Sequence, residues 1–328
     1  MKLLVTMPEG ELRDSFLDEN SKKLLKDNFE VFYNTGTKNY TAEELKSVAE
    51  DMDVLVTGWG TPSLKKAGLT EKGTKLKIVA HTGGSVGDLI DNTAYESGIK
   101  ILSGNSMYAS STAEGALCYI LAGLRYFADD VYGMHKGDYW VSPKKTRGLI
   151  GKTVGIIGVG AVARELIKLL EPFNVNLLLW DRYDIGGKYT QCDLDYLLES
   201  SDVVTVHLGL NESTKGFIGE RELKKIKDGA LFVNTSRGAV IDECALVSEL
   251  TRKRFDAVLD VFEKEPLPVQ SPLRQMENVY LIPHRAGPAV DMRRLIGYNI
   301  CDGAVKVKNG MRSVYEIDAV QASRMTRH

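Results

Sequence analysis

Short apolar runs alternate with longer amphipathic segments along the whole chain, and this alternation constrains the fold more than any other feature of the sequence. A short buried run that leads into a helical segment is the repeating unit of parallel sheets. We therefore predict an α/β fold. The strand-like runs of the first third are Lys2–Thr6, Glu30–Tyr33, Val54–Thr57, Leu76–Ala80 and Ile99–Leu102.

A second series of apolar runs begins near Gly151, and its six members predict a complete doubly wound parallel sheet of the Rossmann type. The segment Ser111–Phe127 has helical spacing and is predicted to cross between two lobes. A further helix is predicted over Val290–Lys308. The six runs are Thr153–Ile157, Val175–Trp180, Val203–Leu208, Ala230–Asn234, Ala257–Val261 and Val279–Ile282.

Composition narrows the class of protein. At roughly 150 residues per domain, a chain of 328 residues is expected to form two domains. The balance of 42 Lys and Arg against 44 Asp and Glu argues against nucleic acid as a partner. The four cysteines and five histidines show no metal-ligand spacing, so we expect no metal site. No apolar segment has the length of a signal sequence or membrane span, so we expect a cytoplasmic protein without a membrane partner.

A glycine-rich turn follows the first run of the second series. Gly158 and Gly160, with Ala163 as the third small residue, form the G-x-G-x-x-A pattern between a strand and a helix, which is typical of dinucleotide binding. Such a pattern alone also occurs in tight turns that bind no ligand. Asp181 strengthens the hypothesis, because an acid about 20 residues further on accepts the ribose hydroxyls and repels a 2′-phosphate. NAD is favoured, although Arg182 leaves NADP open.

Three charged or titratable side chains follow three successive strands of the second series. They are Arg237, Glu265 and His284. Ligands bind at the carboxyl ends of strands in open α/β sheets, so we expect these groups to converge on one crevice. Glu263 lies two residues before Glu265 and is a competing candidate for the acid.

Five strings occur in order between residues 151 and 287: GIIGVGAVA, HLGLNESTKGFIG, NTSRGAVID, LDVFEKEP and IPHRAG. This series resembles the ordered motifs of the D-isomer-specific 2-hydroxyacid dehydrogenases. The resemblance implies an enzyme that interconverts a small 2-oxo acid and its D-2-hydroxy acid with NAD, in a homodimer. It also implies a Rossmann-type sheet inserted in a flavodoxin-like substrate-binding lobe, with residues 1–105 as the first part of that lobe, 106–288 as the NAD-binding domain and 289–328 returning to the substrate lobe.

The resemblance also implies roles for the three strand-end residues. Arg237 would bind the substrate carboxylate and polarise the 2-oxo group, which suits a planar guanidinium. His284 would donate a proton to the carbonyl oxygen and remove it in the reverse direction. Glu265 would hydrogen-bond the imidazole and fix its orientation.

Other positions match the family's binding residues. In the first lobe, the backbone of Gly83 and Gly84 would bind the substrate carboxylate, with a plain glycine turn as the alternative. Asp260 would meet the nicotinamide carboxamide. His207 and Thr214 would lie near the adenosine or have structural roles. The full set predicted to bind the cofactor is Gly158, Gly160, Ala161, Val162, Asp181, Thr235, Ser236, Arg237 and Asp260.

The chain departs from the family pattern at two places that bear on the substrate. Arg285 follows His284 where a small apolar residue is usual, and it either binds a second acidic group of the substrate or points to solvent. The string HTGGSVG, residues 81–87, replaces the commoner Gly, Asp and Asn pattern, so the sequence does not name the substrate. Trp59 and Trp140 lie near predicted loop ends and either line the pocket or pack.

Two other functions remain open at this point. One is an NAD(H)-sensing binding protein like the transcriptional corepressors that share this fold, which can retain the same three residues. The other is oxidation of formate or phosphite, although formate-oxidising relatives carry Gln at the position of Glu265.

Overall fold

The computed structural model of the protein describes residues 1–137, 146–186 and 189–326, and Trp140 lies outside these ranges. The chain divides into two compact units. The first consists of Met1–Tyr108 together with Pro288–His328, and the second of Ala109–Gly287. Each unit contains its own parallel sheet.

Strands and helices alternate along the chain as the apolar pattern predicts. In chain order they are β1 (Lys2–Val5), α1 (Glu11–Phe16), α2 (Glu19–Asn28), β2 (Glu30–Tyr33), α3 (Ala42–Ala49), β3 (Val54–Thr57), β4 (Ile78–His81), α4 (Asn92–Glu96), β5 (Lys100–Ser103), α5 (Asn105–Arg125), α6 (Phe127–Lys136), β6 (Thr153–Ile157), α7 (Ala161–Leu170), β7 (Asn176–Trp180), α8 (Leu194–Ser200), β8 (Val203–Val206), α9 (Glu220–Lys225), β9 (Leu231–Asn234), α10 (Glu243–Thr251), β10 (Asp256–Leu259), β11 (Val279–Leu281), α11 (Val290–Lys308) and α12 (Ala319–Ser323).

The sheet of the first unit has the strand order β2-β1-β3-β4-β5. All of its pairs are parallel, and every residue of β3 and β4 is buried, so these strands are continuous apolar runs in the sequence. The order is that of flavodoxin-like sheets, and its direction reverses between β1 and β3. Each of the five runs predicted in the first third of the chain corresponds to one of these strands.

The end of the chain completes the first unit. Helix α11 buries Ile296, Ile300 and Ala304 in the same core cluster as Leu3 and Val5 of β1. Beyond α11, the chain pairs with the edge strand β5, where the Ser103 N–H donates to the Tyr315 carbonyl at 3.0 Å. The first unit is therefore assembled from two segments that are far apart in the sequence.

The sheet of the second unit has the strand order β11-β10-β9-β8-β6-β7, again with parallel pairs. Its six strands correspond to the six runs of the second series, so the doubly wound sheet predicted from the sequence is confirmed. The direction of the order reverses between β6 and β8, and this is where such sheets bind their ligands. Core clusters cover both faces of the sheet.

The crossing helix differs from its prediction. Helix α5 begins at Asn105, six residues before the predicted start at Ser111, and ends at Arg125. Tyr126 has a left-handed backbone with φ of 51°, which interrupts the helix, and α6 begins at Phe127. The side chains of α6 are not buried, and Phe127 and Tyr132 are each 62% exposed.

Two features of the described residues bear on possible partners. None of the helices in residues 1–137, 146–186 and 189–326 is long and apolar enough to cross a membrane. Within the same ranges, no three His, Cys, Asp or Glu side chains are grouped so that they could hold a metal ion.

Candidate active site

The glycine-rich turn lies between β6 and α7, beside the point where the strand order reverses. Gly158 has a φ of +90°, and a Cβ at this position would lie 2.8 Å from the Leu208 backbone nitrogen. A Cβ on Gly160 would meet no atom within 4 Å, so space is open above the turn. Helix α7 begins at Ala161 with Gly160 as its N-cap and, in the described chain, no side chain caps its first N–H groups. Uncapped N–H groups at a helix N-terminus are suited to bind a phosphate.

Asp181 follows β7, next to the same turn. Its Oδ2 accepts the Val159 N–H at 2.7 Å and its Oδ1 accepts the Tyr183 N–H at 3.0 Å. Each carboxylate oxygen retains a lone pair for another donor, so a ribose hydroxyl can still be bound. The neighbouring Arg182 donates from its guanidinium to the Ser213 carbonyl at 2.9 Å, and it stacks over the ring of Phe217.

His284 and Glu265 form a hydrogen-bonded pair. The His284 Nδ1–H donates to Glu265 Oε2 at 2.7 Å, and Glu265 Oε1 accepts the Phe262 N–H at 3.1 Å. This contact distinguishes Glu265 from Glu263, whose backbone N–H donates to the carboxylate of Glu243 at the start of α10. The side chain of His284 is 46% exposed, and its Nε2 has no partner in the described part of the chain. The ring nitrogen that faces away from Glu265 is therefore accessible to a ligand.

The backbone of His284 is held by Asp260, which directly follows β10. His284 has a left-handed backbone with φ of 52°, which is uncommon for residues other than glycine. Asp260 Oδ1 accepts the Arg285 N–H at 2.7 Å, its Oδ2 accepts the Ala286 N–H at 3.0 Å, and its carbonyl accepts the His284 N–H at 2.9 Å. Burial raises the pKa of Asp260, an effect that these two N–H groups oppose.

Asp260 thus has a positioning role that the sequence analysis missed, since we expected it only to meet the nicotinamide. The sequence signal for this role is an acid that directly follows a buried strand, when the next strand along the chain is followed by Pro-His. Tyr119 of α5 contacts the same carboxylate, and burial together with Asp260 raises the pKa of its phenol. The side chain of Arg285, in contrast, is exposed.

Arg237 lies in the turn after β9. The side chain of Asn234 stabilises this turn through three hydrogen bonds. Its Oδ1 accepts from the N–H and the hydroxyl of Ser236, and its Nδ2 donates to the Arg237 carbonyl. The Arg237 guanidinium donates to the Ser236 carbonyl at 2.7 Å. Its buried Nε and the buried Thr235 hydroxyl have no partner among the residues described.

Burial lowers the pKa of Arg237, with the Glu265 carboxylate opposing the shift. An arginine remains protonated at any physiological pH, so the turn presents a partly desolvated positive charge. Buried donors without partners indicate where a ligand completes the hydrogen bonding. The second unit therefore brings Arg237, Glu265, His284 and Asp260 to the carboxyl edge of its own sheet.

The glycine loop of the first unit follows β4. The Ser103 hydroxyl donates to the Gly84 carbonyl at 3.0 Å and the Gly104 N–H donates to the Gly83 carbonyl at 3.1 Å, whereas the N–H groups of Gly83 and Gly84 have no partner among described residues. His81 is buried below the loop, where Nδ1 lies 2.9 Å from the Thr57 hydroxyl. Burial lowers the pKa of His81 to about 4, so the ring is neutral at pH 7.

Of the two residues expected to be either adenosine ligands or structural, Thr214 is buried and His207 is partly buried. His207 lies 3.0 Å from the Thr205 hydroxyl, and burial lowers its pKa to about 4. The Thr214 hydroxyl donates to the Gly209 carbonyl at 2.7 Å and accepts the Asn211 N–H at 2.8 Å. These bonds hold Thr214 in its own turn.

The residues at the edge of the second sheet fit a dinucleotide. Gly158, Gly160 and the start of α7 offer free space and N–H groups for a pyrophosphate, and Asp181 offers lone pairs for a ribose. The orphaned Thr235 hydroxyl and Arg237 Nε lie further along the same edge. Each group is of the chemical type that its part of the cofactor requires.

Comparison with known proteins agrees with this geometry. The family model for the NAD-binding domain of D-isomer specific 2-hydroxyacid dehydrogenases matches residues 117–286. A hydroxypyruvate reductase of Thermotoga maritima is 32% identical over 297 residues, which cover 88% of this chain and 95% of that protein. A D-3-phosphoglycerate dehydrogenase of Methanocaldococcus jannaschii is 31% identical over 317 residues, which cover 94% of this chain but only 58% of that protein.

A solved structure extends the similarity to both units. The crystal structure of a glyoxylate reductase from Paecilomyes thermophila superposes with a TM-score of 0.81 at 26% identity, covering 96% of this chain and 98% of that one. The chain belongs to the D-isomer-specific 2-hydroxyacid dehydrogenase family, which makes it an NAD-dependent oxidoreductase. NAD(H) is the cofactor of its second unit.

Proposed function

We propose that this dehydrogenase reduces a small 2-oxo acid to its D-2-hydroxy acid, with His284 as the acid–base residue, Glu265 as its partner and Arg237 as the ligand of the substrate carboxylate. The observation that carries the proposal is the 2.7 Å bond between His284 and Glu265, which leaves the accessible Nε2 to exchange a proton with substrate. The relatives reported above carry the names of enzymes, so nothing favours a sensing protein over a catalyst.

His284 performs the proton transfer. Its Nε2–H donates to the 2-oxo oxygen of the substrate and releases the proton as the carbon–oxygen double bond becomes an alcohol. Glu265 fixes the ring orientation through Nδ1 and stabilises the positive charge of the protonated imidazole. Asp260 holds the backbone turn that presents the ring.

Arg237 binds and polarises the substrate. Its guanidinium is partly desolvated, so its attraction for the carboxylate and the 2-oxo oxygen is stronger than in water. The unpartnered N–H groups of Gly83 and Gly84 are proposed to bind the same carboxylate. Bound NADH supplies the hydride that completes the reduction.

The proposed cofactor residues divide by the part of NAD that they hold. Gly158, Gly160, Ala161 and Val162 would bind the pyrophosphate, and Asp181 the ribose of the adenosine. Arg182 is already bound to the Ser213 carbonyl, which supports a preference for NADH over NADPH. Thr235, Ser236, Arg237 and Asp260 would lie along the nicotinamide half of the cofactor.

We also propose a homodimer. Helix α6 has no buried residues, and it exposes several large apolar side chains to solvent, namely Phe127, Val131, Tyr132 and Met134. Exposed apolar surface of this kind marks interaction sites. Light scattering should give twice the chain mass of 36.3 kDa, and a mass of one chain at micromolar concentration would contradict the dimer.

The test of the function is a substrate panel. Purified protein near pH 7 is given NADH or NADPH with glyoxylate, pyruvate, hydroxypyruvate, phenylpyruvate, oxaloacetate or 2-oxoglutarate, and cofactor oxidation is followed by absorbance. We expect turnover of at least one 2-oxo acid, faster with NADH, and a product of the D configuration. Absence of turnover across the panel, with NADH binding intact by calorimetry, would contradict the proposal.

A further inference from the structure

The carboxyl edge of the sheet in the first unit holds a group of side chains that the proposed mechanism does not use. The strand order reverses between β1 and β3, and ligands of open α/β sheets bind beyond the carboxyl ends at such a reversal. Trp59 lies two residues after β3, and Phe16 ends α1, the helix that follows β1. The two rings are in edge contact, with their centroids 5.4 Å apart.

Arg293 of α11 lies over these aromatic rings. Its guanidinium carbon is 5.3 Å from the centroid of Trp59 and 6.0 Å from that of Phe16. Its Nε is buried without a hydrogen-bond partner, and no acidic side chain among the described residues pairs with the guanidinium. A buried donor without a partner costs stability, so a buried Nε without a partner at a ligand-binding edge suits an anionic ligand.

Tyr108 connects this arginine with the glycine loop. Its ring is 6.2 Å from Trp59, and a Cβ on Gly84 would lie 3.2 Å from its Cγ. The Tyr108 hydroxyl is buried and has no partner in the part of the chain that is described. Burial raises the pKa of this phenol, so the hydroxyl stays a donor at neutral pH. Two unsatisfied donors, a guanidinium and a phenol, thus lie beside the loop that we propose binds the substrate.

We propose that Arg293 and Tyr108 bind a second anionic group, carried on the side chain of the 2-oxo acid, against the wall formed by Trp59. The preferred substrates are then dianions, either 2-oxo dicarboxylates or phosphorylated 2-oxo acids. This inference rests on the proposed function and adds the class of substrate. It assigns to Arg293 the role that the sequence analysis considered for Arg285, whose side chain is exposed.

The test compares pairs of substrates that differ by one anionic group, a carboxylate or a phosphate, and the member that carries this group is called the dianion. Oxaloacetate is paired with 2-oxobutyrate and 2-oxoglutarate with 2-oxopentanoate for a carboxylate, and phosphohydroxypyruvate with hydroxypyruvate for a phosphate. For at least one pair, we expect the wild-type protein to have a higher kcat/KM for the dianion. Arg293→Gln should lower the ratio of kcat/KM values, dianion over monoanion, by roughly 10- to 100-fold, because a charge-assisted hydrogen bond is lost. The loss should appear mainly in KM.

Arg294 supplies the matched control. It is the next residue of α11, it is exposed, and its charge acts on the Asp18 carboxylate instead, where it contributes to the lowered pKa of Asp18. Arg294→Gln should leave the dianion-to-monoanion ratio unchanged. Arg293→Lys should retain part of the ratio, which a purely structural role in packing against the two rings would not predict.

The outcomes separate this inference from the proposed function. Turnover of monoanions with no dianion preference, or an equal loss for both members of each pair in Arg293→Gln, would overturn the inference and leave the function standing. Failure of every 2-oxo acid would overturn the function. If Arg293→Gln does not fold, Tyr108→Phe decides the matter, because a several-fold fall in the ratio supports the inference and an unchanged ratio contradicts it.

Discussion

The carboxyl edges of the two sheets differ in how their polar side chains are satisfied. In the second unit, His284 is bonded to Glu265, and Asp260 is bonded to two backbone N–H groups. In the first unit, neither the Arg293 Nε nor the Tyr108 hydroxyl has a partner in the described ranges. Side chains that are hydrogen-bonded to each other are preorganised for chemistry, whereas donors without a protein partner are free to bind a ligand.

Arg237 supports this distinction from within the second unit. Its buried Nε has no partner among the described residues, and it is the residue proposed to bind the substrate carboxylate. We therefore expect substitutions among the paired groups of the second unit to change turnover. Substitutions in the first unit should change the affinity and choice of substrate.

The largest effect is expected from His284→Asn. Asparagine tolerates the left-handed backbone of this position, so the turn held by Asp260 should survive while the proton donor is lost. We expect kcat to fall by roughly 10² to 10⁴-fold. The NADH dissociation constant, measured by calorimetry, should stay close to the wild-type value. A variant with near wild-type turnover would show that His284 is not the acid–base residue.

A smaller loss of turnover is expected from Glu265→Gln. The amide keeps the shape of the side chain but removes the negative charge that stabilises the protonated imidazole, so kcat should fall by roughly 10- to 100-fold. Glu263→Gln is the matched control, because Glu263 lies two residues away and the hydrogen bond of His284 Nδ1 is to Glu265 instead. Equal effects of the two substitutions would refute the assignment of Glu265.

Both edges contain a histidine that is neutral at pH 7, the buried His81 in the first unit and the partly buried His207 in the second, and both should make stability depend on pH. The folded-state pKa of His81 and of His207 is about 4, below the unfolded value of about 6.5, so the stabilisation is complete above pH 6.5 and is lost as the pH falls towards 4. Lowering the pH from 7 to 5 should reduce the free energy of unfolding by about 2 kcal/mol for each histidine. Urea titrations at several pH values should show this slope, and His81→Asn should reduce it. An unchanged slope in that variant would exclude His81 as a source.

The smallest effect is expected from Gly83→Ala in the first unit. A Cβ at Gly83 would lie 2.2 Å from Nε2 of the buried His81, so either the loop or the ring must shift, at roughly 1 kcal/mol or more. We expect KM for the 2-oxo acid to rise about fivefold while NADH affinity is unchanged. Gly148→Ala controls for the loss of a glycine, because its Cβ would meet nothing within 4 Å. A lowered NADH affinity in Gly83→Ala would contradict the expectation that substitutions in the first unit change substrate binding and not cofactor binding.

The strands of both sheets could be predicted from the sequence because buried parallel strands are continuous apolar runs. Helix α6 could not, since the break before it depends on a left-handed Tyr126, a conformation that local sequence does not favour for tyrosine. The placement of Arg237, Glu265 and His284 at successive strand ends followed from the order of the motifs. The bonds of Asp260 to the turn after His284 depend on tertiary contacts and could not be read from spacing.

The position of Arg293 could not be predicted from the sequence either. It lies within an amphipathic helix, where a charged residue is ordinarily solvent-facing. Only the packing of α11 against the first sheet brings it over Trp59 and Phe16. Arg285 drew attention instead because it is adjacent in sequence to His284, and adjacency along a turn does not determine where a side chain points.

Helix α11 also determines when the first unit can fold. Its residues Ile296 and Ile300 share a core cluster with Leu3 and Val5, so strand β1 cannot complete the burial of this apolar face until α11 has been synthesised. The second unit is one continuous segment, Ala109–Gly287, and has no such delay. During translation, therefore, the cofactor-binding unit is complete first, and the nascent N-terminal sheet is the part of the molecule that needs protection from aggregation.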